Sequence, residues 1–488
     1  MSKVLSPQVL RDQAERAATD EPKLERVMSP FANFAIAMST ICILAGGIAS
    51  FHIGFCSVGG AAIGLGWPLC CLFSLTVALT MARIASAFPF AGGPYQWAAQ
   101  LGNNGCGWVA GCFNLAGLAT VQAAINVGVC QFVVGASSRV GGWEPGLVHP
   151  TILSAIVVAM TLSQALINHW GMRLTSWLTS FSGGLIIAVS GLLTVALLVF
   201  PVLAGSHFDL SRLVTVSNYS GPAGGNVWPP TASVAWLFAL GLLLPAFTIT
   251  GFDAAAQTAE ETTNPERNVP RGIVRAVLIS GLAGWIMLAA IVLAAPDMDE
   301  AAARGDASFF HILRAVVPQP LRLFFYIGIG LAQYICGLAT LTASSRLAYA
   351  LARDRGLPFS GALKRIGTHH TPSVAIWSVA TVVCAFAVSI PYTAIASVCA
   401  IFLYIAYVLP TAIGLFKYAH WSGRAQWGGS GWWYPPLAIV CVLGCVGLIV
   451  IGMQPPNEIA LWVVAVMIVV LLGLWFGGVR HYFRQPVP

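Results

Sequence analysis

Long apolar runs alternate with short polar connections along this chain, and the length of the runs sets the fold class. Twelve of them, at 30–58, 61–88, 107–135, 149–169, 175–200, 232–259, 271–295, 319–352, 373–390, 393–417, 434–453 and 459–478, approach or exceed the roughly 20 residues a helix needs to cross a bilayer. The pattern predicts an all-α polytopic membrane protein with 12 transmembrane helices. A polar tail (1–29) precedes a ten-helix core (30–417), and 418–488 adds two helices and a short polar end.

Two runs are interrupted by residues that strain or polarise a helix. In the first, Leu44-Ala45-Gly46-Gly47-Ile48-Ala49-Ser50 falls near the middle. In the sixth, Pro245, Thr248, Thr250, Gly251 and Asp253 cluster before the polar exit of Glu260, Glu261, Asn264 and Pro265. Breaks at corresponding places in two halves point to an inverted-repeat transporter with its site at the bilayer midplane. Spans one to five then match six to ten. Between spans two and three, Ala91-Gly92-Gly93-Pro94-Tyr95-Gln96-Trp97 reads as a turn leading into a short interfacial helix.

Composition sharpens this picture. The 488 residues are 57% hydrophobic and 8% charged, against about 25% charged in soluble domains. With the N-terminus inside, 19 of the 24 Lys and Arg residues fall on the cytoplasmic side, leaving Arg139, Arg212, Arg304, Arg314 and Arg322 outside. That bias obeys the positive-inside rule and puts both ends in the cytoplasm. The formal charge of +7 is therefore a topology signal rather than a footprint for nucleic acid. The first 27 residues hold no apolar stretch of the kind a secretory signal carries. The twelve cysteines sit almost wholly in apolar runs, without metal-ligand spacing or a disulfide framework.

Where a helix opens in lipid, its freed N–H and C=O groups need partners from protein, water or ligand. Ala45, Gly46, Gly47, Ile48 and Ser50 would offer N–H groups and a helix dipole to a carboxylate, with the new half-helix starting near Ser50. Carbonyls before Gly251, with Thr248 and Thr250, would suit an ammonium group. Close helix packing by Gly46 and Gly47 is the simpler alternative. Phe247 is either an aromatic gate or a core residue. Asp253 is the lone carboxylate in an apolar span, with three candidate roles: substrate amine ligand, proton carrier or structural anchor. His52 is a candidate proton carrier or a hydrogen-bonded structural residue. Arg83 and Glu260 are candidate parts of an inner gate. Thr340, Thr342, Ser344 and Ser345 either bond back to their own helix or, with Ala45 and Ile48, form an oxygen cage for Na⁺. No P-loop, zinc motif or nucleophile elbow is present, so neither an enzyme, a metal nor a cofactor is expected.

Four stretches carry a family resemblance: Ser39 to Gly47; Ala85-Ser86-Ala87-Phe88-Pro89-Phe90-Ala91-Gly92-Gly93-Pro94-Tyr95-Gln96-Trp97; Gly251-Phe252-Asp253-Ala254 through Glu260-Glu261-Thr262; and Ser345-Arg346 through Arg353-Asp354-Arg355-Gly356-Leu357-Pro358. In order and spacing the chain resembles the amino acid–polyamine–organocation superfamily of permeases, within it the amino acid/choline transporter branch. The resemblance implies a LeuT-type five-plus-five fold with helices one and six broken. It also implies secondary active transport of an amino acid or small amine such as GABA, driven by H⁺ or Na⁺ across the plasma membrane. It makes Phe247 the gating aromatic and puts Ser344 and Ser345 where sodium-coupled relatives hold an ion. Two departures stand out: Arg83 replaces a family Glu, and span five has no lysine. A choline or polyamine permease is the nearest alternative. Choline would need an aromatic cage from residues such as Trp67, Tyr95, Trp97, Phe247 and Phe252. A substrate sensor on the same fold is the alternative of another class.

Overall fold

The computed structural model describes residues 28–483 apart from 91, 144–147, 368 and 391. The polar tail, except for its last two residues, lies outside the described residues. Among the described residues the chain is helical and has no β-strand, only an isolated bridge between Met28 and Thr262.

The first apolar run forms α1 (Pro30–Ile41), α2 (Gly46–Ala49) and α3 (Phe51–Val58). Ser29 starts α1 by accepting the Ala32 N–H through its hydroxyl, with Pro30 at the first helical position, where a missing N–H costs nothing. Then follow α4 (Trp67–Ala87), the short α5 (Pro94–Leu101), α6 (Asn104–Gly141), α7 (Pro150–His169) and α8 (Met172–Leu203). The sixth run gives α9 (Val234–Gly241), α10 (Leu243–Thr248) and α11 (Ala254–Gln257). Beyond it lie α12 (Pro265–Ala294), α13 (Met298–Ala303), α14 (Ser308–Val316) and α15 (Gln319–Arg353). The chain continues through α16 (Ser373–Ser389), α17 (Tyr392–Phe416), α18 (Tyr434–Met453) and α19 (Glu458–Leu474). Among the described residues, ten helices are long and apolar enough to span a membrane. Val234–Thr248 and Ser373–Ser389 are shorter apolar helices lying in the sixth and ninth apolar runs.

The face where α1 begins is called near here, and the opposite one far. Helices α1, α6, α15 and α17 form the buried centre, with α17 and α15 both packed along α6. Helices α7, α8, α18 and α19 lie outside and turn Leu162, Trp177, Val195, Leu443, Trp462 and Val466 outward. In water such surfaces would be a liability; in lipid they are the solvent-matched face. Interior polar side chains pair across helices: Asn126 donates to Thr161 (2.8 Å) and Gln164 (3.0 Å), and Thr342 donates to Asn168 (2.8 Å). All twelve cysteines are free thiols.

Candidate functional site

The chain leaves α1 at Cys42, whose backbone is left-handed (φ 31°), and it re-enters helix at Gly46. The break therefore comes at Cys42 to Ala45, several residues before Ser50. Ser50 is the turn residue between α2 and α3, so a further helical segment starts just after it; its N–H bonds the Gly46 carbonyl, and its hydroxyl pairs with the Tyr392 hydroxyl at 2.9 Å. The N–H groups of Gly47 and Ile48 have no hydrogen-bond partner among the described residues. Both residues are buried, so they leave two donors at the start of a short half-helix. On the other side of the turn, Gln333 of α15 donates to the Leu44 carbonyl at 2.9 Å.

The second break runs from Ile249 to Asp253 and turns on Gly251, whose φ of 79° favours glycine. Two tyrosines one turn apart on α17 brace it. Tyr404 donates to the Ala246 carbonyl at 3.1 Å, and the Tyr407 hydroxyl accepts the Gly251 N–H at 3.1 Å while donating to Asp253 Oδ1 at 2.6 Å. Asp253 Oδ2 accepts from Asn114 of α6 (2.8 Å) and Gln257 (3.1 Å). Asp253, Asn114, Gln257 and Tyr407 are all fully buried. A carboxylate with three donors at hydrogen-bond distance is compensated for its burial. It ties the broken segment to α6 and α17.

The two breaks touch. A Cβ on Gly46 would lie 2.8 Å from the Thr248 side chain, and one on Gly251 would lie 2.5 Å from Thr40 Cγ2. The Thr248 and Thr250 hydroxyls bond back to the Leu244 and Phe247 carbonyls, both at 2.8 Å. Phe247 lines a cleft of about 160 Å³ on the far side, with Ile53, Leu243, Ala396, Ala400 and Asn457. Ile48 and His52 line a second far-side cleft of about 240 Å³.

The sodium cage is not assembled. Gln333 meets the Leu44 carbonyl, and Ser344 lies eleven residues further along α15, roughly 16 Å at helical rise. Ala45 and Ile48 lie beyond Leu44, toward the far side. The Ser344 hydroxyl bonds the Thr340 and Leu341 carbonyls, and Ser345 bonds Thr342. Arg83 is likewise not part of an ion-pair gate. It donates to the carbonyls of Trp427 (2.9 Å), Gly429 (3.2 Å) and Ser422 (3.4 Å) and lies 5.7 Å from the Trp433 ring centre. Its work is to hold the connection before α18 against the end of α4. Nor do the five aromatics converge into a cage. The Trp67 indole reaches Gly281 on α12, Trp97 bonds Phe88, Tyr95 bonds Asp354 near the end of α15, and the Phe252 ring packs at a tilt against Tyr407.

At the near end of the second broken segment two adjacent glutamates take different arginines of α15. Glu260 meets Arg353 at 3.1 Å with both side chains about a third exposed, whereas Glu261 meets Arg346 at 3.4 Å in full burial. Asn33 of α1 donates to the Ala255 carbonyl (2.8 Å) and to Thr262 (3.0 Å), so the near halves of both broken segments form one unit. Asn114, Gln257, Gln333, Arg346, Tyr404 and Tyr407 were not expected from the sequence. Their signal was there: each is a polar or charged side chain within or beside an apolar run.

A polytopic helical membrane protein whose centre is two touching helix breaks is a transporter architecture, and among the described residues no metal-binding cluster accompanies it. The family model for amino acid permeases matches residues 28–476, and the chain belongs to that family. It is a multi-pass membrane transporter of the amino acid class and not an enzyme. The amino-acid permease BAT1 of Arabidopsis thaliana is 28% identical, covering 95% of this chain and 94% of its own length. Amino-acid permease 2 of Neurospora crassa is 25% identical over 98% of this chain and 89% of its own. The GABA-specific permease of Saccharomyces cerevisiae is 27% identical over 72% of this chain and 61% of its own.

Proposed function

We propose that this protein is a secondary active permease that carries an amino acid or a GABA-like amine by alternating access. The carrying observation is the contact of the two breaks at Gly46 and Thr248, beside the unpartnered N–H groups of Gly47 and Ile48. Those donors suit a substrate carboxylate, and carbonyls around Thr248 to Gly251 suit its amine. A LeuT-type five-plus-five repeat accounts for the paired breaks. In it 30–417 is the transport core, 418–488 an appended pair of helices and 1–29 a cytoplasmic tail. The near face is then cytoplasmic, in the plasma membrane, as the bias of Lys and Arg supports.

In this reading the near halves of the broken segments, joined through Asn33, rock against α6, α15 and α17. The Asp253 cluster and the Glu261–Arg346 pair hold the near side shut. Coupling to H⁺ is favoured over Na⁺, because the only carboxylate at the breaks is Asp253 and the serine cage is not formed. The test is uptake of labelled GABA and a panel of amino acids into proteoliposomes under an imposed pH gradient, with and without a protonophore. Accumulation that collapses with the protonophore is expected. A folded protein giving neither accumulation nor counterflow of any panel member would overturn the proposal.

A further inference from the structure

The far face carries a charged feature that the transport reading does not use. Arg139 at the end of α6, Arg304 after α13, and His311 and Arg314 on α14 line one cleft of about 410 Å³. Three of the five arginines expected outside thus gather from three separate elements. Arg322 joins them, donating to the Arg314 carbonyl at 3.2 Å. Guanidinium groups stay charged at any accessible pH, and their planar forks match carboxylates. Two acids temper the cluster. Glu300 pairs with Arg304 at 3.0 Å and lies 3.7 Å from His311, and Asp306 lines the adjoining cleft. Among the described residues neither Arg139 nor Arg314 has a carboxylate partner.

The position of this cleft gives the charge a use. It shares Arg139, Ala307 and Phe310 with the cleft lined by Ile48, Ala49 and His52, so the arginines adjoin a cleft that reaches the segment just beyond the first break. Aromatic rings form its wall: Phe310 packs on Phe132 (5.3 Å between centres) and on Tyr326 (5.7 Å). Behind this wall the Tyr326 hydroxyl is buried and has no partner among the described residues.

We propose that the cleft of Arg139, Arg304, His311 and Arg314 is a binding site for carboxylate anions, a vestibule that draws acidic solutes toward the first helix break. Cationic walls of low dielectric concentrate anions and raise their encounter rate. Anion binding stands by itself, whereas its service to a transported substrate rests on the permease reading above.

The experiment uses the purified full-length protein and glutarate, a dicarboxylate without an amine, with glutaramide as the uncharged match. Glutarate should raise the melting temperature saturably at low ionic strength, and glutaramide should not. Arg139→Gln/Arg314→Gln should weaken the apparent glutarate affinity about three- to tenfold, as fits the loss of one or two partly exposed charge contacts. Arg139→Lys/Arg314→Lys should restore most of it. No glutarate effect on the wild type, or an effect unchanged in the Gln pair, would overturn the site. Glutarate binding lost in the Gln pair, in a protein that transports nothing, would uphold the site and count against the permease reading alone.

Discussion

Gly46 and Thr248, one from each interrupted helix, lie so close that a methyl group on the glycine would come within 2.8 Å of the threonine side chain and 2.9 Å of its Cα. The approach is between backbones, and only a residue without Cβ permits it. Gly47, the next residue, faces Leu288 at 3.7 Å, an ordinary contact. The two neighbours therefore do different jobs. Gly46 lets the breaks meet, and Gly47 keeps its N–H open.

Gly46→Ala should accordingly cost about 1–3 kcal/mol through overpacking and should abolish uptake, whereas Gly47→Ala should fold as well as the wild type. Thermal melts in detergent with parallel uptake assays separate the two. Equal melting temperatures for both variants would show that the breaks can move apart without penalty.

Tyr407 links Gly251 to Asp253 through one hydroxyl, so Tyr407→Phe leaves a buried carboxylate one donor short and a buried N–H unpaired. A loss of about 1–3 kcal/mol is expected. Tyr404→Phe removes only one bond to the Ala246 carbonyl and should cost about 1 kcal/mol. Denaturation or melting of both variants would rank them, and the reverse order would contradict this assignment.

The helices and the location of the breaks were legible in the sequence, because membrane-length apolar runs and Gly/Pro interruptions are local signals. The partners of the breaks were not. Asn114 and Tyr407 lie 139 and 154 residues from Asp253, and no periodicity records which faces meet across such separations. Ser344 and Ser345 misled for the opposite reason. Their local pattern suits a cation, but the register of α15 against α1 places Gln333, not a serine, opposite the turn. Arg83 failed in the same way, since the carbonyls it holds come from a connection some 340 residues later.

The adjacent glutamates make an internal control. Glu261→Gln breaks an ion pair in full burial and strands Arg346, which should cost about 3–5 kcal/mol. Glu260→Gln acts on a pair about a third exposed on each side and should stay within about 1 kcal/mol. If the pair also holds the near side shut, Glu261→Gln should raise the labelling rate of a cysteine placed at Ala255, and Glu260→Gln should not. Comparable melts for the two variants would remove the distinction.

Asp354, just past the end of α15, accepts from Tyr95 and from Gln96 (3.2 Å). Burial nevertheless pushes its carboxyl above the usual carboxylate range, outweighing Tyr95, Arg353 and Gln96, which act to lower it. A raised folded-state value means stability that is complete below the ordinary pKa and given up as pH rises through the raised one. Asp354→Asn lacks this titration, so its melting temperature should gain on that of the wild type between pH 4 and pH 7. A difference independent of pH would mean that ionising Asp354 costs the folded state nothing.

The coupling ion turns on which group at the breaks can change its charge. Ser344 and Ser345 spend their hydroxyls on carbonyls of their own helix, so alanine at either position removes only local back-bonding. Asp253 is different, because a proton on it would weaken its hold on Tyr407, Asn114 and Gln257 and so loosen the broken segment from α6 and α17. Ser344→Ala and Ser345→Ala should therefore keep uptake within about threefold of wild type and leave its ion dependence alone, a loss of less than about 1 kcal/mol. Asp253→Asn should abolish accumulation against a gradient while sparing exchange of substrate across the membrane, since an amide keeps the shape but cannot cycle a proton. Counterflow and pH-driven uptake, measured on the same proteoliposomes, read the two activities separately. Wild-type accumulation by Asp253→Asn, or loss of Na⁺ dependence in Ser344→Ala, would move the coupling site to α15.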